Sequence, residues 1–208
     1  RLTPSGSLHF STLVGGSGSD SANGLALKTD GSVWVVGETT SSNLPLVGTP
    51  YQSVNRGSQD AFLARLTSSG SIAYTSYFGG NGEDRAVAVA LDAAEAVYFT
   101  GGTTSTNFPI GNAYQNTNRG LQDTFIAKLS SDGSTMRYST YLGGSGGTVG
   151  LGEVGNWIGV DTTGAAIVVG ITGSNNFPIS SSALQPYFGG GATDAFVAKI
   201  SATGNSLL

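Results

Sequence analysis

One sentence is written three times in this chain. Leu13-Val14-Gly15-Gly16 returns as Tyr77-Phe78-Gly79-Gly80 and again as Tyr141-Leu142-Gly143-Gly144, with 64 residues between successive first glycines in both intervals (79 − 15 and 143 − 79). A unit repeated at fixed spacing is one supersecondary module, too small to bury its own apolar face, and it must stack on its neighbours. The fold follows from the repeat, and function belongs to what varies between copies.

The rest of the unit aligns with small slips. Asn43-Leu44-Pro45, Asn107-Phe108-Pro109 and Asn176-Phe177-Pro178 correspond, as do Asp60-Ala61-Phe62, Asp123-Thr124-Phe125 and Asp194-Ala195-Phe196. Between Gly143 and Asn176 the third copy is five residues longer than the second is between Gly79 and Asn107 (33 against 28). The extra residues fall in Gly146 to Asn156, and an insertion tolerated there marks an exposed connection.

Within a copy, apolar and polar residues alternate with the period of strands, and turn residues punctuate them. The first strand is predicted at Gly24 to Leu27, Val87 to Leu91 and Trp157 to Val160, and the second at Val33 to Gly37, Val97 to Gly101 and Ile167 to Gly170. Asp30-Gly31 joins the first pair as a hairpin signal. The third strand is predicted at Ala61 to Leu66, Phe125 to Leu129 and Phe196 to Ile200, and the fourth at Ile72 to Phe78, Met136 to Leu142 and, at the front of the chain, Leu8 to Val14. Four antiparallel strands repeated head to tail with Gly-rich links is the arithmetic of an all-β β-propeller, with three blade equivalents and an enlarged connection such as Thr39 to Gln59 between strands two and three. Parallel β-helices and β-rolls have a much shorter repeat and fit less well.

Tyr138 to Gly146, the Asn-Phe-Pro motif, Tyr114-Gln115 and the Asp-Ala-Phe-Val-Ala-Lys of Asp194 to Lys199 together give the chain a resemblance to the bacterial SBBP (β-propeller) repeat. The resemblance covers essentially the whole chain. It implies a propeller built from modules of large bacterial proteins, secreted or attached to the cell surface, and it implies no catalytic residue.

The two ends share a phrase. Arg1-Leu2-Thr3-Pro4-Ser5-Gly6 repeats Arg65 to Gly70, and Lys199 to Gly204 repeats it again. Residues 1–208 therefore read as a single propeller region with a fourth strand at 8–14, blades at 24–78 and 87–142, and a blade at 157–200 lacking its fourth strand. Three blades are too few to close a ring. The expectation is either a piece of a longer multi-blade chain or a homodimer that makes a six-bladed ring, because an isolated arc leaves unpaired edges and an exposed apolar face.

Composition fits an extracellular or cell-surface scaffold: 33 glycines, 11% charged residues and no cysteine to supply a disulfide. A net charge of −4 argues against nucleic acid, which rewards clustered Lys and Arg. No apolar stretch is long enough for membrane insertion, and no signal peptide is read at Arg1.

Chemistry-bearing motifs are few. Gly15 to Ala22 and Gly79 to Ala86 resemble a Gly-Gly-x-Gly-x-Asp calcium nonapeptide, yet they recur only once per blade and the third copy has Thr148 in place of the acid. The sequence reading is structural: the glycines supply positive φ in the link, and Asp20 and Asp84 cap turn amides. His9 is the only histidine and sits in a predicted strand at the very start, so a Ser-His-Asp site would have to be built at a chain terminus and a His-rich metal site is excluded by count; no cofactor is expected. Glu38, Glu83, Asp84, Glu95 and Glu153 near strand ends leave paired carboxylates of the glycosidase type open. Asp60, Asp123 and Asp194 suggest a hydrogen bond to the loop, and Arg65, Lys128 and Lys199 a solvated or acid-paired strand position.

Links and long loops should emerge on one side. Candidate binding residues there are Tyr51, Asn55 and Arg56, their equivalents Tyr114, Asn118 and Arg119, and the third-copy departures Glu153, Trp157, Tyr187 and Phe188. The expected function is a non-enzymatic module for protein or glycan interaction or scaffolding. The alternative is a carbohydrate-active hydrolase or lyase with acids at a central pocket.

Overall fold

The computed structural model describes residues 1–146 and 152–208. Eleven strands and no helix occur among the described residues. They are β1 (Asp20–Leu27), β2 (Val33–Thr39), β3 (Asp60–Leu66), β4 (Ile72–Phe78), β5 (Asp84–Leu91), β6 (Val97–Thr103), β7 (Asp123–Leu129), β8 (Met136–Leu142), β9 (Val154–Val160), β10 (Ala166–Thr172) and β11 (Asp194–Ile200). They form three antiparallel sheets with strand orders β1-β2-β3-β4, β5-β6-β7-β8 and β11-β10-β9, so each copy of the repeat is one meander.

The fourth strands, β4 and β8, have the bounds expected from alternation. The first strands begin three or four residues earlier than expected, because each carries a bulge: the pairing register slips between Ala22 and Gly24, between Ala86 and Ala88, and opposite Val169 and Gly170. A bulge reverses which face the following side chains take, so the period-two pattern is broken where the strand starts. Opposite each bulge stands a glycine. A Cβ on Gly37, Gly101 or Gly170 would lie 1.8, 1.8 or 2.0 Å from the carbonyl oxygen of Ser21, Arg85 or Val154, so only a residue without a side chain fits.

The sheets stack face to face. β5 packs on β1, β2 and β3 of the first sheet, and β9 packs on β5, β6 and β7 of the second. Alternation divides the middle sheet between two cores. Val97, Phe99, Phe125, Leu129 and Tyr141 meet Trp34, Leu63, Tyr74 and Phe78 of the first sheet. Tyr98, Ile126, Tyr138 and Leu142 meet Ile158, Val168, Phe196 and Ile200 of the third. Aromatic rings dominate the first core, with Phe99 and Phe108 edge-on to Phe78 at centroid distances of 5.0 and 5.3 Å. The middle unit thus buries one face on the first unit and the other on the third.

Leu8 to Val14 forms no strand. Leu2 and Leu8 make a single bridge, the residues after Leu8 lie outside any sheet, and Leu13 is 95% exposed. The pattern of a fourth strand is there, but no third strand stands beside it to take its hydrogen bonds. At the other end, Ile200 and Leu207 make the bridge with which a fourth strand starts.

Candidate functional site

Links and long loops do emerge at one end of the stack, and a repeated set of bonds ties them together. Asn43, Asn107 and Asn176 each accept on Oδ1 from the backbone N–H of Ser17, Asn81 and Ser145, at 2.9, 2.7 and 2.8 Å. Ser41, Ser105 and Ser174 accept on Oγ from Gly18, Gly82 and Gly146 N–H, each at 2.8 Å. Asp20 and Asp84 accept from the Gly16 and Gly80 N–H at 2.8 and 2.7 Å, which is the cap expected of them. The expected positive φ of the link glycines is not found: no link glycine is among those with positive φ. Their reason is close approach instead, since a Cβ on Gly79 would lie 2.6 Å from Asp60 and 2.7 Å from Asp84.

Thr148 lies outside the described residues, as does most of the front of the Gly146 to Asn156 insertion. The third copy nevertheless keeps its acid. Thr172 Oγ1 donates to Glu153 Oε1 at 2.8 Å, where Thr39 donates to Asp20 and Thr103 to Asp84. Glu153, five residues downstream of Thr148, is the functional equivalent of the first-strand aspartate.

At each junction this acid faces a second one. Asp60 accepts from Gln52 Nε2 (2.7 Å) and from the Arg56 and Gly57 N–H (3.0 and 3.2 Å). Asp123 repeats the set with Gln115, Arg119 and Gly120 at 2.7, 3.1 and 3.2 Å. Burial pushes both carboxyls up to about 6, against the pull of those donors, and the charges of Asp84 beside Asp60 and Glu153 beside Asp123 push in the same direction. Burial also raises Asp84 and Glu153. All four are fully buried, and none lines either of the two cavities described below.

The candidate binding residues divide sharply. Tyr51 stacks on Phe78 at 5.1 Å and Tyr114 packs on the second core, so both are loop core. Asn55 and Asn118 turn inward, each offering Nδ2 to two backbone carbonyls at 3.4 Å, those of Thr39 and Ser41 or of Thr103 and Ser105. Glu153 is fully buried in the junction, with Oε1 held by Thr172 and Oε2 without a hydrogen-bond partner. Arg56 and Arg119 are exposed at equivalent places on the rim, each only lending its backbone N–H to the aspartate. Trp157 and Tyr187 are exposed and Phe188 is half-buried, all on the third unit.

Two cavities occur beside the third sheet. One of about 630 Å³ opens between the second and third units at the tight-turn end, with Asp92, Lys128, Asn112 and Arg137 on its wall. The second, about 390 Å³, runs along β11 and is walled by Phe177, Leu184, Tyr187, Phe196 and Val197. Lys128 and Lys199 pair with Asp92 and Asp161 at 3.3 and 2.7 Å, and Arg65 lies over the Trp34 ring at 5.8 Å.

Sequence reading missed two repeated devices. Gln52 and Gln115 hold the junction aspartates, and the Tyr77 and Tyr141 hydroxyls accept from Leu44 and Phe108 N–H while donating to Ser41 and Ser105 carbonyls. The recurring Tyr-Gln and Tyr-x-Gly-Gly spacings were the available signals. Among the described residues, no group of three or more His, Cys, Asp and Glu side chains is placed to hold a metal ion, and no helix is long and apolar enough to cross a membrane. No protein-family model matches the sequence, and no curated protein is significantly similar to it.

Proposed function

We propose that the chain is a run of three β-propeller blades, similar to the SBBP repeat, that acts as a non-enzymatic extracellular or cell-surface scaffold and presents its loop rim to a protein or glycan. Support for the propeller comes from the way the units touch. Packing between sheets runs through β5 and β9, the first strands of the second and third units, each lying across the first three strands of the unit before it, an arrangement compatible with blades set one after another around an axis.

One contrast carries the functional reading. The acids that could do chemistry, Asp60, Asp84, Asp123 and Glu153, are buried and spend oxygens on amides and hydroxyls, whereas Arg56 and Arg119 stand exposed and equivalent on the rim. Exposed Arg is a good anchor for carboxylates on a protein or acidic glycan. The hydrolase or lyase reading would need one of the raised carboxylate pairs to face a cleft, and the two pairs are sealed.

The test is a glycan array and a surface-protein capture with the Arg56→Ala/Arg119→Ala double variant beside the parent chain. Binding that falls at least tenfold in the variant with unchanged unfolding supports the reading. Turnover of a polysaccharide by the parent chain that Asp60→Asn and Asp123→Asn abolish would replace it with the enzyme.

A further inference from the structure

We propose that the cavity of about 630 Å³ between the second and third units is a binding site for a sugar acid, with the Arg137 guanidinium as the anchor for its carboxylate. Neither Arg56 nor Arg119 lines this cavity, so the site is separate from the rim and independent of what the rim binds.

The cavity lies where one junction differs from the other. Trp34 pairs with Arg65 as Tyr98 pairs with Lys128, so Trp34 and Tyr98 hold the same place in their units. At the first junction the indole and the Tyr74 ring close on a turn of the second unit: a Cβ on Gly133 would lie 2.7 Å from each ring, and the Tyr74 hydroxyl donates to the Gly133 carbonyl at 2.8 Å. At the second junction the smaller Tyr98 ring has its hydroxyl 3.1 Å from Asp92 Oδ2 and 3.1 Å from the Gly164 carbonyl oxygen. Tyr138, the equivalent of Tyr74, is on the cavity wall, and its hydroxyl is buried without a hydrogen-bond partner. The bond from ring to turn that ties the first junction is not made at the second.

The side chains on the wall differ between the junctions as well. Gly111 is bonded to Ser139 where Val47 is bonded to Thr75, which puts Asn112 in the place of Gly48; both have positive φ, 49° and 76°. Arg137 stands where the first unit has Ala73. Asn is one of the few residues that accept a left-handed backbone, and Asn112 Nδ2 donates to the Arg137 carbonyl at 3.0 Å, which fixes the loop against the strand that carries the arginine.

Charge decides what the cavity takes. Asp92 is the acid on its wall, and that acid is spent: Oδ1 accepts from the Ala94 and Ala96 N–H at 2.9 Å each, and Oδ2 is 3.3 Å from Lys128 Nζ. Arg137 is exposed and makes no ion pair among the described residues. One free guanidinium suits one carboxylate, held through two parallel hydrogen bonds. The remaining polar groups are of both kinds. Asn205 Oδ1 accepts from Thr203 at 2.8 Å and leaves its amide N–H groups as donors, whereas Asn112 Oδ1 is left as an acceptor. Such a mixture matches hydroxyl groups, which both donate and accept. Ala94, Ala96 and Ala202 add small apolar surface for the C–H face of a ring. The turn that brings Ala202 and Asn205 to the wall is closed by its own bonds, Gly204 N–H to the Ser201 carbonyl and Ser201 N–H to the Ser206 carbonyl, both 2.9 Å. A carboxylate, several hydroxyls and an apolar face on one small ring describe a sugar acid, and about 630 Å³ is ample for it.

The experiment is isothermal titration calorimetry of the parent chain with glucuronate, galacturonate and N-acetylneuraminate, beside glucose, galactose and inorganic phosphate, repeated on Arg137→Ala, Ser131→Trp and Arg85→Ala. At least one sugar acid is expected to bind, with the neutral sugars and phosphate at least about tenfold weaker. Arg137→Ala should cost at least about tenfold, the loss of a charge-assisted pair, and Ser131→Trp, which sets an indole on the cavity wall, should block binding. Arg85→Ala, at an arginine away from the cavity, should leave the affinity within about twofold. No sugar acid bound at up to about 10 mM, phosphate or neutral sugars bound as well as sugar acids, or binding that survives Arg137→Ala or Ser131→Trp overturns the proposal. All three substituted positions are exposed, and far-ultraviolet circular dichroism with urea unfolding verifies that each variant is folded.

Discussion

The repeat supplies an internal control for packing energy. Leu63, Ile126 and Val197 share one position in three copies of the same strand, and only the number of neighbouring units differs. Leu63→Ala removes about three carbon atoms from a site with 0% exposure; at about 0.8 kcal/mol per buried methylene plus a cavity term, the cost is about 3–4 kcal/mol. Ile126→Ala belongs in the same range. Val197→Ala removes about two methyl carbons from a residue 74% exposed, so about a quarter of the transfer term is at stake, or roughly 0.4 kcal/mol. The assay is urea unfolding followed by fluorescence of Trp34, which is fully buried in the first core, at a concentration where the chain is monomeric. If Val197→Ala cost as much as Ile126→Ala, the exposure of Val197 and the burial argument built on it would be wrong.

Further outcomes follow from the junctions. Tyr141→Phe strips an acceptor from the Phe108 N–H and a donor from the Ser105 carbonyl, both in a buried site, and is expected to cost about 1–3 kcal/mol in urea unfolding. Gly101→Ala sets a methyl group against the Arg85 carbonyl oxygen at 1.8 Å and should destabilise more than Tyr141→Phe does, whereas Arg56→Ala should stay within about 0.5 kcal/mol of the parent. Asp60 and Asp123 hold their protons more tightly folded, at about 6, than the 3.8 of a free carboxyl. Their contribution is therefore full below about pH 4 and lost as the pH rises through about 6. Urea midpoints should fall between pH 4.5 and 7 by the equivalent of about 1–3 kcal/mol, and a flat profile would refute the assignment.

Alternation and spacing made the strands legible, because a period of two reads directly as the two faces of a sheet. The eight segments of the second, third and fourth strands inside the repeats lie where the apolar pattern puts them, within one or two residues at most ends. The bulged starts of β1, β5 and β9 were not legible, since a single extra residue inverts the pattern without leaving a mark in composition. The link glycines were recognised as special for the wrong reason: positive φ can be inferred from a residue type, but the approach of Asp60 and Asp84 to Gly79 is a distance between segments that do not adjoin in sequence.

By itself the sequence determined that this protein is a stack of like all-β units, and that its glycine-rich links and long loops belong together. Periodicity is a local property, carried by each residue and its neighbours. The tertiary structure decided which copies of a repeated residue are buried and which are not. Asp60, Asp123 and Asp194 are alike on paper, yet the first two are buried at junctions where an acid of the following sheet faces them, and the last is only half-buried. The same holds for Leu63 and Val197. Burial depends on what stands opposite, and a repeated motif does not record its own neighbours.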